Sequence, residues 1–476
     1  MMKRIPPTIA PPLDSNFRPA VLANHAFREA AQAAGAIPLV ITLERTQGAI
    51  SRYETIIFPP DHPRAEENFF YVERLVKFLL WQRGGWKITI GGPREIGEYI
   101  RRLYAPGGAR AFDHHFMGDQ VYRRPFTVEI CEVDAAPMAN EISQPLGRHL
   151  DGYRIGFDLG ASDVKVSAVV DGKPIFSAEK VWEPVEQRDP EYHYHRIMAA
   201  LQEAAGHLPR LDAIGGSSAG VYVDNQPRVA SLFRGIPADR FDKIRTMFER
   251  IQEQFGVPLE VVNDGEVTAL AGSMSLGVNA ILGIAMGSSE AVGYVNRAGA
   301  ITDWLNELAF APVDYASTAP VDEWSGDRGA GALYFSQQAV FRLAPRVGLT
   351  PVGETKAARL KSIQKYLETG HEGARRIWET IGIYLGYALA HYADFYDIEH
   401  VLILGRVTSG VGGSIILETA QSLIVQEFPE LSHIAIQLPD EKSRRVGQSI
   451  AAASLPSRIQ IDDRRSHPSV LAESER

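Results

Sequence analysis

Apolar and polar positions fall into short, recurring blocks along most of the chain. At 26–34 and 67–82 the apolar positions recur at helical spacing. In the second block Phe70, Val72, Leu75, Leu79 and Leu80 fall near one face. The runs at 37–43 (IPLVITL), 86–90 (WKITI) and 126–130 read as strands, the first of them buried. Gly91-Gly92-Pro93 leads into a helix ending near Tyr104, and a loop rich in Gly and Ala follows it. Residues 1–150 therefore predict a mixed α/β region.

The polar stretch 139–152 reads as a domain linker, and the pattern changes after it. Strands are predicted at 153–159 and 164–170, the second followed by the hairpin signal Asp171-Gly172. Helix-like and strand-like blocks then alternate as far as Leu455, which predicts α/β architecture. Residues 457–476 are polar and charged and predict a disordered tail.

Length and composition narrow the classes. A chain of 476 residues is too long for one core, so two or three domains are expected. A formal charge of -9, from 49 basic and 58 acidic residues, argues against a general nucleic-acid binder. It leaves room for a locally positive pocket that takes a phosphorylated small molecule. Cys131 is the single cysteine, so no disulfide forms within the chain and a cysteine-based zinc site lacks partners. No stretch approaches the roughly 18 apolar residues of a membrane span, and the proline-bearing start is not a secretory signal. A soluble, cytoplasmic protein is the expectation.

Four segments carry candidate chemistry. The first is Ile155-Gly156-Phe157-Asp158-Leu159-Gly160-Ala161-Ser162, followed by Asp163, Val164 and Lys165. A strand ending in Asp, then Gly and a hydroxyl residue in a tight turn, suits phosphate and magnesium: turn amides and the Ser hydroxyl face phosphate oxygens, while the carboxylate holds a hydrated Mg²⁺. An ordinary hairpin with a polar turn reads the same way. The second is a strand at 259–262 delivering Asn263-Asp264 at its carboxyl end, ahead of a helix at 266–273. Those two residues also suit a plain helix cap. The third is Ala285-Met286-Gly287-Ser288-Ser289 between two strands. The fourth is Gly405-Arg406-Val407-Thr408-Ser409-Gly410 between a strand and a helix, where glycine permits close approach to a flat base or ribose.

The order of these four resembles the actin-like ATPase superfamily (ribonuclease H-like), and within it the ROK family of sugar kinases and sugar-responsive repressors. The stretches IGFDLGASDVKVSAVVDG, AIGGSSAGVYVD, VVNDGEVTALAG, NELAF, SGDRGAGALYFSQQAV and VLILGRVTSG fit in register over about 153–456. The resemblance implies a two-lobed α/β fold closing over ATP·Mg²⁺ and a sugar, with an additional N-terminal α/β region at 1–150. The first lobe would span 151–262 plus about 440–456, and the second 263–439. Asp264 matches the general base, and Asn263 and Glu307 match residues that hydrogen-bond sugar hydroxyls. Asp158 matches the Mg²⁺-associated carboxylate. Gly160 and Ser162 match the first phosphate turn, joined by Lys165, with Gly287 and Ser288 in the second and Gly405 and Gly410 in the adenosine loop. The carboxylates at 158 and 264 must then converge on one crevice. A homodimer is compatible with this resemblance.

Departures are as informative. The family's zinc ligands are replaced by Phe310, Glu323, Ser325 and Ala330, although Gly326 and Gly329 remain, so zinc is not expected. Asp163 stands where the family has Lys, and Lys165 compensates only if it points the same way. Ala285, Met286, Ser289 and Glu290 replace the glycines of the second phosphate loop, and a carboxylate there opposes phosphate. His193 and His195 read as a solvated helix start rather than a metal pair. His114-His115 lacks a carboxylate or Cys at a recognised ligand spacing. The aromatic residues Tyr384, Tyr387, Tyr392, Phe395 and Tyr396 read as core. The leading expectation is an ATP-dependent sugar or polyol kinase. The alternative is a catalytically lapsed sugar- or nucleotide-binding regulator. A repressor is disfavoured by the absence of a basic recognition helix in 1–150.

Overall fold

A small sheet and a long buried helix open the chain. In the computed structural model, residues 2–141, 146–439 and 443–457 are described. Parts of the expected linker (142–145) and tail (458–476) lie outside them. Helix α1 (Ala20–Ala33) starts behind Pro19, ahead of the expected 26–34, because Ala20, Val21 and Asn24 are buried along with Phe27 and Ala31. Strands β1 (Ile37–Glu44) and β2 (Ile50–Ile57) pair antiparallel. Helix α2 (Glu67–Arg83) and strand β3 (Lys87–Gly91) follow, then helix α3 (Arg94–Leu103). Where a loop is expected, helix α4 (Ala111–His115) widens into a π turn over Phe116–Tyr122. Burial of Phe116, Met117 and Val121 outweighs the glycine there. Strand β4 (Thr127–Cys131) completes a sheet of order β2-β1-β3-β4.

Helix α2 buries charge as well as apolar surface. Glu73, Arg74 and Lys77 are all buried, which is tolerable only with partners. Lys77 Nζ meets Asp113 at 2.6 Å, Arg74 meets Asp327 at 3.1 Å, and Arg110 bridges Glu73 at 2.6 Å and Asp327 at 2.9 Å.

The middle of the chain forms a five-stranded sheet. Strands β5 (Tyr153–Leu159), β6 (Asp163–Val170) and β7 (Lys173–Val181) make an antiparallel meander. Asp171 (φ 47) and Gly172 (φ 78) both sit in the left-handed region at the second hairpin, as a two-residue turn there demands. Helix α5 (Pro190–Ala205) leads to β8 (Ala213–Ser218), the short hairpin β9 (Val221–Val223) and β10 (Gln226–Val229), and helices α6 (Phe241–Arg245) and α7 (Met247–Phe255). Strand β11 (Leu259–Asn263) then runs straight into helix α8 (Asp264–Leu276). The order is β11-β8-β5-β6-β7, with β8 and β11 parallel to β5. Ile155, Phe157 and Leu159 pack in a core with Ile197, Leu201, Phe248 and Ile251.

A second mixed sheet follows. Strands β12 (Ile281–Met286) and β13 (Glu290–Val295) form a hairpin, and a largely irregular segment leads to helices α9 (Gln337–Leu343), α10 (Lys356–Glu368) and α11 (Glu372–Ala393). Strand β14 (His400–Leu404), helix α12 (Val411–Glu427) and strand β15 (Ala435–Gln437) complete the order β13-β12-β14-β15. The aromatic residues of and after α11 are buried core, as expected.

Helix α13 (Ser443–Ala453) returns to the β5 sheet. Gly156 and Gly215 are partners on adjacent strands. A Cβ on them would fall 1.7 Å from the Ser449 carbonyl oxygen and 1.6 Å from that of Ala452. Glycine at both positions lets helix backbone lie directly on strand backbone. The chain divides into two units: Met1–Gln144, Val278–Ala298 and Thr302–Pro439 in one, and Pro145–Gly277, Gly299–Ile301 and Asp440–Arg476 in the other. Among the described residues no helix is long and apolar enough to cross a membrane.

Candidate active site

Parallel pairing of β5, β8 and β11 brings their carboxyl ends to one edge of the sheet, where ligands bind in open α/β sheets. Asp158 lies opposite Ser217, and Ser218 lies opposite both Leu159 and Asn263. The Ser217 hydroxyl donates to Asp158 Oδ1 at 2.7 Å. Burial raises the Asp158 pKa, against the opposing pull of that hydroxyl and of Lys165. Lys165 Nζ stands 3.7 Å from Asp158 Oδ2 and 3.2 Å from Asp163 Oδ1. It therefore points the way compensation requires, and the acidic residue in the turn carries its own counter-ion. Ser162 donates to Asp163 at 3.0 Å, and the Gly160 amide closes the turn onto the Asp163 carbonyl at 2.9 Å.

Asn263 caps α8, as its sequence position allows: its Oδ1 accepts from the Gly265 amide at 2.7 Å, and its Nδ2 donates to the Gly220 carbonyl at 2.7 Å. Asp264, the first residue of α8, is half-buried. Burial first, and then the negative charge of Asp158, push its pKa up to about 6. The Tyr222 hydroxyl donates to Ser218 at 2.6 Å, and its ionisation is driven up by burial and by Asp264. Ser217, Ser218 and Tyr222 thus flank the carboxyl pair. The resemblance of the stretch 213–224 to the ROK family's segment beside the sugar covers all three, but it singles out none of them.

In the other unit, parallel pairing of β12 with β14 places Ala285 opposite Leu404. The turns that hold Gly287-Ser288 and Gly405 are therefore neighbours. A Cβ on Gly405 (φ 100) would fall 2.6 Å from the Met286 carbonyl oxygen, so only glycine fits. The Gly287 amide closes its turn onto Ser289 at 3.0 Å, and its carbonyl accepts from the Gln337 amide at 2.9 Å. Gly410 (φ 65) opens α12. Close behind, Gly412 touches the Trp378 indole, which donates to the Val407 carbonyl at 2.9 Å.

Glu290 corrects an expectation. Rather than presenting a carboxylate to the Gly287 turn, it is 4% exposed. Burial, and then the charge of Glu307, raise its pKa to about 8, so it is mostly neutral at pH 7.

Glu307 is placed by the end of α2. The Asn306 and Glu307 amides donate to the carbonyls of Gln82 and Trp81 at 2.8 and 2.9 Å. Asn306 adopts a left-handed φ of 50, with its side-chain oxygen accepting from Tyr396 at 2.7 Å. Phe310 packs with Trp81, Phe112 and Phe116, at centroid distances of 4.4, 5.7 and 6.2 Å. Of the other positions that hold zinc ligands in the resembling family, Glu323 is exposed, Ser325 donates to Asp322 at 2.7 Å and Ala330 is buried. The loop is anchored instead through Asp327, paired with Arg74 and Arg110.

The histidine expectation also needs correction. His195 is exposed, but His193 is buried, 3.0 Å from the Pro184 carbonyl oxygen, and burial lowers its pKa. Positions two apart on a helix do not share a face, so the pair does not chelate. His115 does meet a carboxylate, Asp119, at 2.8 Å. At the sheet edge the donors are carboxylate and hydroxyl oxygens, a set that fits Mg²⁺ and not a soft metal.

No protein-family model matches the sequence, and no curated protein matches it. Solved structures do. A ROK family transcriptional regulator, a homologue of the E. coli Mlc protein, is 18% identical with a TM-score of 0.51, covering 64% of this chain and 78% of its own. A ROK hexokinase from Thermus thermophilus is 16% identical with a TM-score of 0.49, covering 63% and 97%. A ROK family glucokinase from Streptomyces griseus, in complex with glucose and AMPPNP, is 18% identical with a TM-score of 0.45, covering 63% and 99%. The strand orders and the likeness to the regulator together give this chain a mixed α/β fold like that of the ROK family transcriptional regulator.

Proposed function

We propose that this protein is an ATP-dependent phosphotransferase acting on a hydroxyl of a sugar or polyol, with Asp264 as general base. One observation carries this reading: Asp158 and Asp264 stand at one sheet edge, close enough for Asp158 to help lift Asp264 to a pKa of about 6. Such a base is mostly ionised at neutral pH and still takes up a proton. In the reaction the acceptor oxygen bonds to the γ-phosphorus while its proton passes to Asp264. The bond from that phosphorus to the bridging oxygen breaks, and ADP leaves with the electron pair.

Asn263 and Glu307 orient the acceptor hydroxyls. Gly160, Ser162, Lys165, Gly287 and Ser288 meet phosphate oxygens. Since the Gly160 and Gly287 amides close their own turns, the donors in this reading are the amides that follow them, the Ser162 hydroxyl and the Lys165 ammonium. Gly405 and Gly410 give close backbone approach to adenosine. Asp158 would hold Mg²⁺ through water, and the ion would supply neutralisation of phosphate charge. Positioning does most of the work in such a transfer.

A coupled ATP-consumption assay across a panel of sugars and polyols, with Asp264→Asn as control, tests the reading. Turnover with at least one acceptor, lost in the variant, is expected; no turnover above the variant with any acceptor removes it.

A second reading, a non-catalytic sugar- or nucleotide-binding regulator, is favoured by Lys165. Its ammonium is paired with Asp158, the carboxylate on which Mg²⁺ depends. Calorimetric binding of a sugar or nucleotide without phosphorylated product supports it; product formation eliminates it.

A further inference from the structure

We propose that the N-terminal region is a working part of the acceptor site: helix α2 and Arg110 clamp the segment 306–330, and through it they position Glu307. The consequence for acceptor binding rests on Glu307 contacting the acceptor, as in the function proposed above; the clamp itself does not.

The segment is held at two places, the first of them by backbone. The amides of Asn306 and Glu307 donate to the carbonyls of Gln82 and Trp81, at 2.8 and 2.9 Å. The last carbonyls of a helix have no partner within it, so the end of α2 offers these two to the incoming chain. Phe310 then packs on Trp81, with ring centroids 4.4 Å apart.

The second place is ionic. Asp327, 5% exposed, is reached by Arg74 at 3.1 Å and by Arg110 at 2.9 Å. Both guanidinium groups also hold Glu73, at 2.5 and 2.6 Å, while Lys77 pairs with Asp113 at 2.6 Å. In formal charge, Arg74, Lys77 and Arg110 face Glu73, Asp113 and Asp327. The cluster is neutral only with Asp327, which alone of the six comes from outside the N-terminal region. A buried cation deprived of its anion is costly, so the N-terminal region requires the segment that brings Asp327.

Backbone hydrogen bonds carry the tie from Asp327 to Glu307. The Val313 amide donates to the Gly329 carbonyl at 2.8 Å, and the Gly331 amide to the Ala311 carbonyl at 3.0 Å. The Ala311 and Phe310 amides close back onto the Leu308 and Glu307 carbonyls, at 2.9 and 3.2 Å. Phe310, Ser325 and Ala330 stand in this segment at positions that hold zinc ligands in the resembling family. Here the N-terminal region does the fixing.

Three full-length variants test the clamp: Arg110→Met, Asp327→Leu, and the two together. The double variant is neutral in formal charge again, yet it lacks the tie. Hydrogen exchange over 306–313 should be at least roughly tenfold faster in all three, with exchange in β5 unaltered. The double variant should regain part of the urea midpoint that each single variant loses. Its KM for an acceptor from the panel should nevertheless stay raised, by roughly 10–10²-fold. The kcat and the KM for ATP should change little, the pattern of lost ground-state binding.

Wild-type exchange over 306–313 in the double variant overturns the clamp. An acceptor KM that recovers together with the urea midpoint overturns the positioning role. Where the wild type phosphorylates no acceptor, the proposed activity fails, and the exchange result still decides the clamp.

Discussion

Ser217 donates its hydroxyl to Oδ1 of Asp158 across 2.7 Å, from the adjacent parallel strand. This bond opposes the effect of burial on the carboxyl. Ser217→Ala should therefore move the acid limb of the pH–rate profile to higher pH. It should also cost about 1.5–3 kcal/mol of stability, the range for a hydrogen bond to a charged group. Denaturant unfolding and kcat/KM against pH measure the two effects.

Asp264 should leave two signatures. As the proposed base, it must be ionised, so kcat/KM should rise with pH through about 6, and Asp264→Asn should lower turnover by roughly 10²–10⁴-fold. For stability the sign reverses. Its folded pKa lies above the ordinary 3.8, so the folded state holds the proton more tightly. The stabilisation is fully present below about pH 4 and is lost as pH rises through about 6. The variant should lose this slope, which urea midpoints across pH 4–8 would reveal.

Lys77 and Asp113 are almost fully buried and pair at 2.6 Å, with the Trp81 indole also donating to Asp113. Lys77→Met should destabilise by about 3–5 kcal/mol, because a buried carboxylate is left unpaired. Adding Asp113→Leu should recover part of the loss. A double-mutant cycle by denaturant unfolding checks both statements, and a fully additive result contradicts them.

Gly412→Ala should act on nucleotide affinity. The added Cβ would lie 2.2 Å from Trp378 Nε1, the atom that donates to Val407 beside the Gly405 turn. Overpacking of this kind costs about 1–3 kcal/mol. The expected kinetic result is a raised KM for ATP with kcat little changed.

What could be read from the sequence was whatever local signals specify. The strand bearing Asp158 spans Tyr153–Leu159 as expected, because an apolar run there ends at a Gly-Ser turn, and Asp171-Gly172 dictates its own hairpin. The arrangement around the carboxyls was not legible. Ser217 acquires its role only through a register between strands distant in sequence, and Glu290 is hidden because Gly331 makes room for it. The charged residues of α2 look like a solvated face until Asp113, Asp327 and Arg110 meet them. His193 was misjudged for a similar reason: polar neighbours in sequence say nothing of what packs over a side chain.

The two glycines beneath α13 also set a timetable for biosynthesis. The ribosome releases β5, β8 and β11 long before Ser443–Ala453 exists, so the nascent sheet waits with its glycine-lined face uncovered. That unit can mature only once Ser443–Ala453 has emerged. A nascent chain stalled before Ser443 should stay sensitive to protease in this sheet even with Asp158 and Asp264 already synthesised.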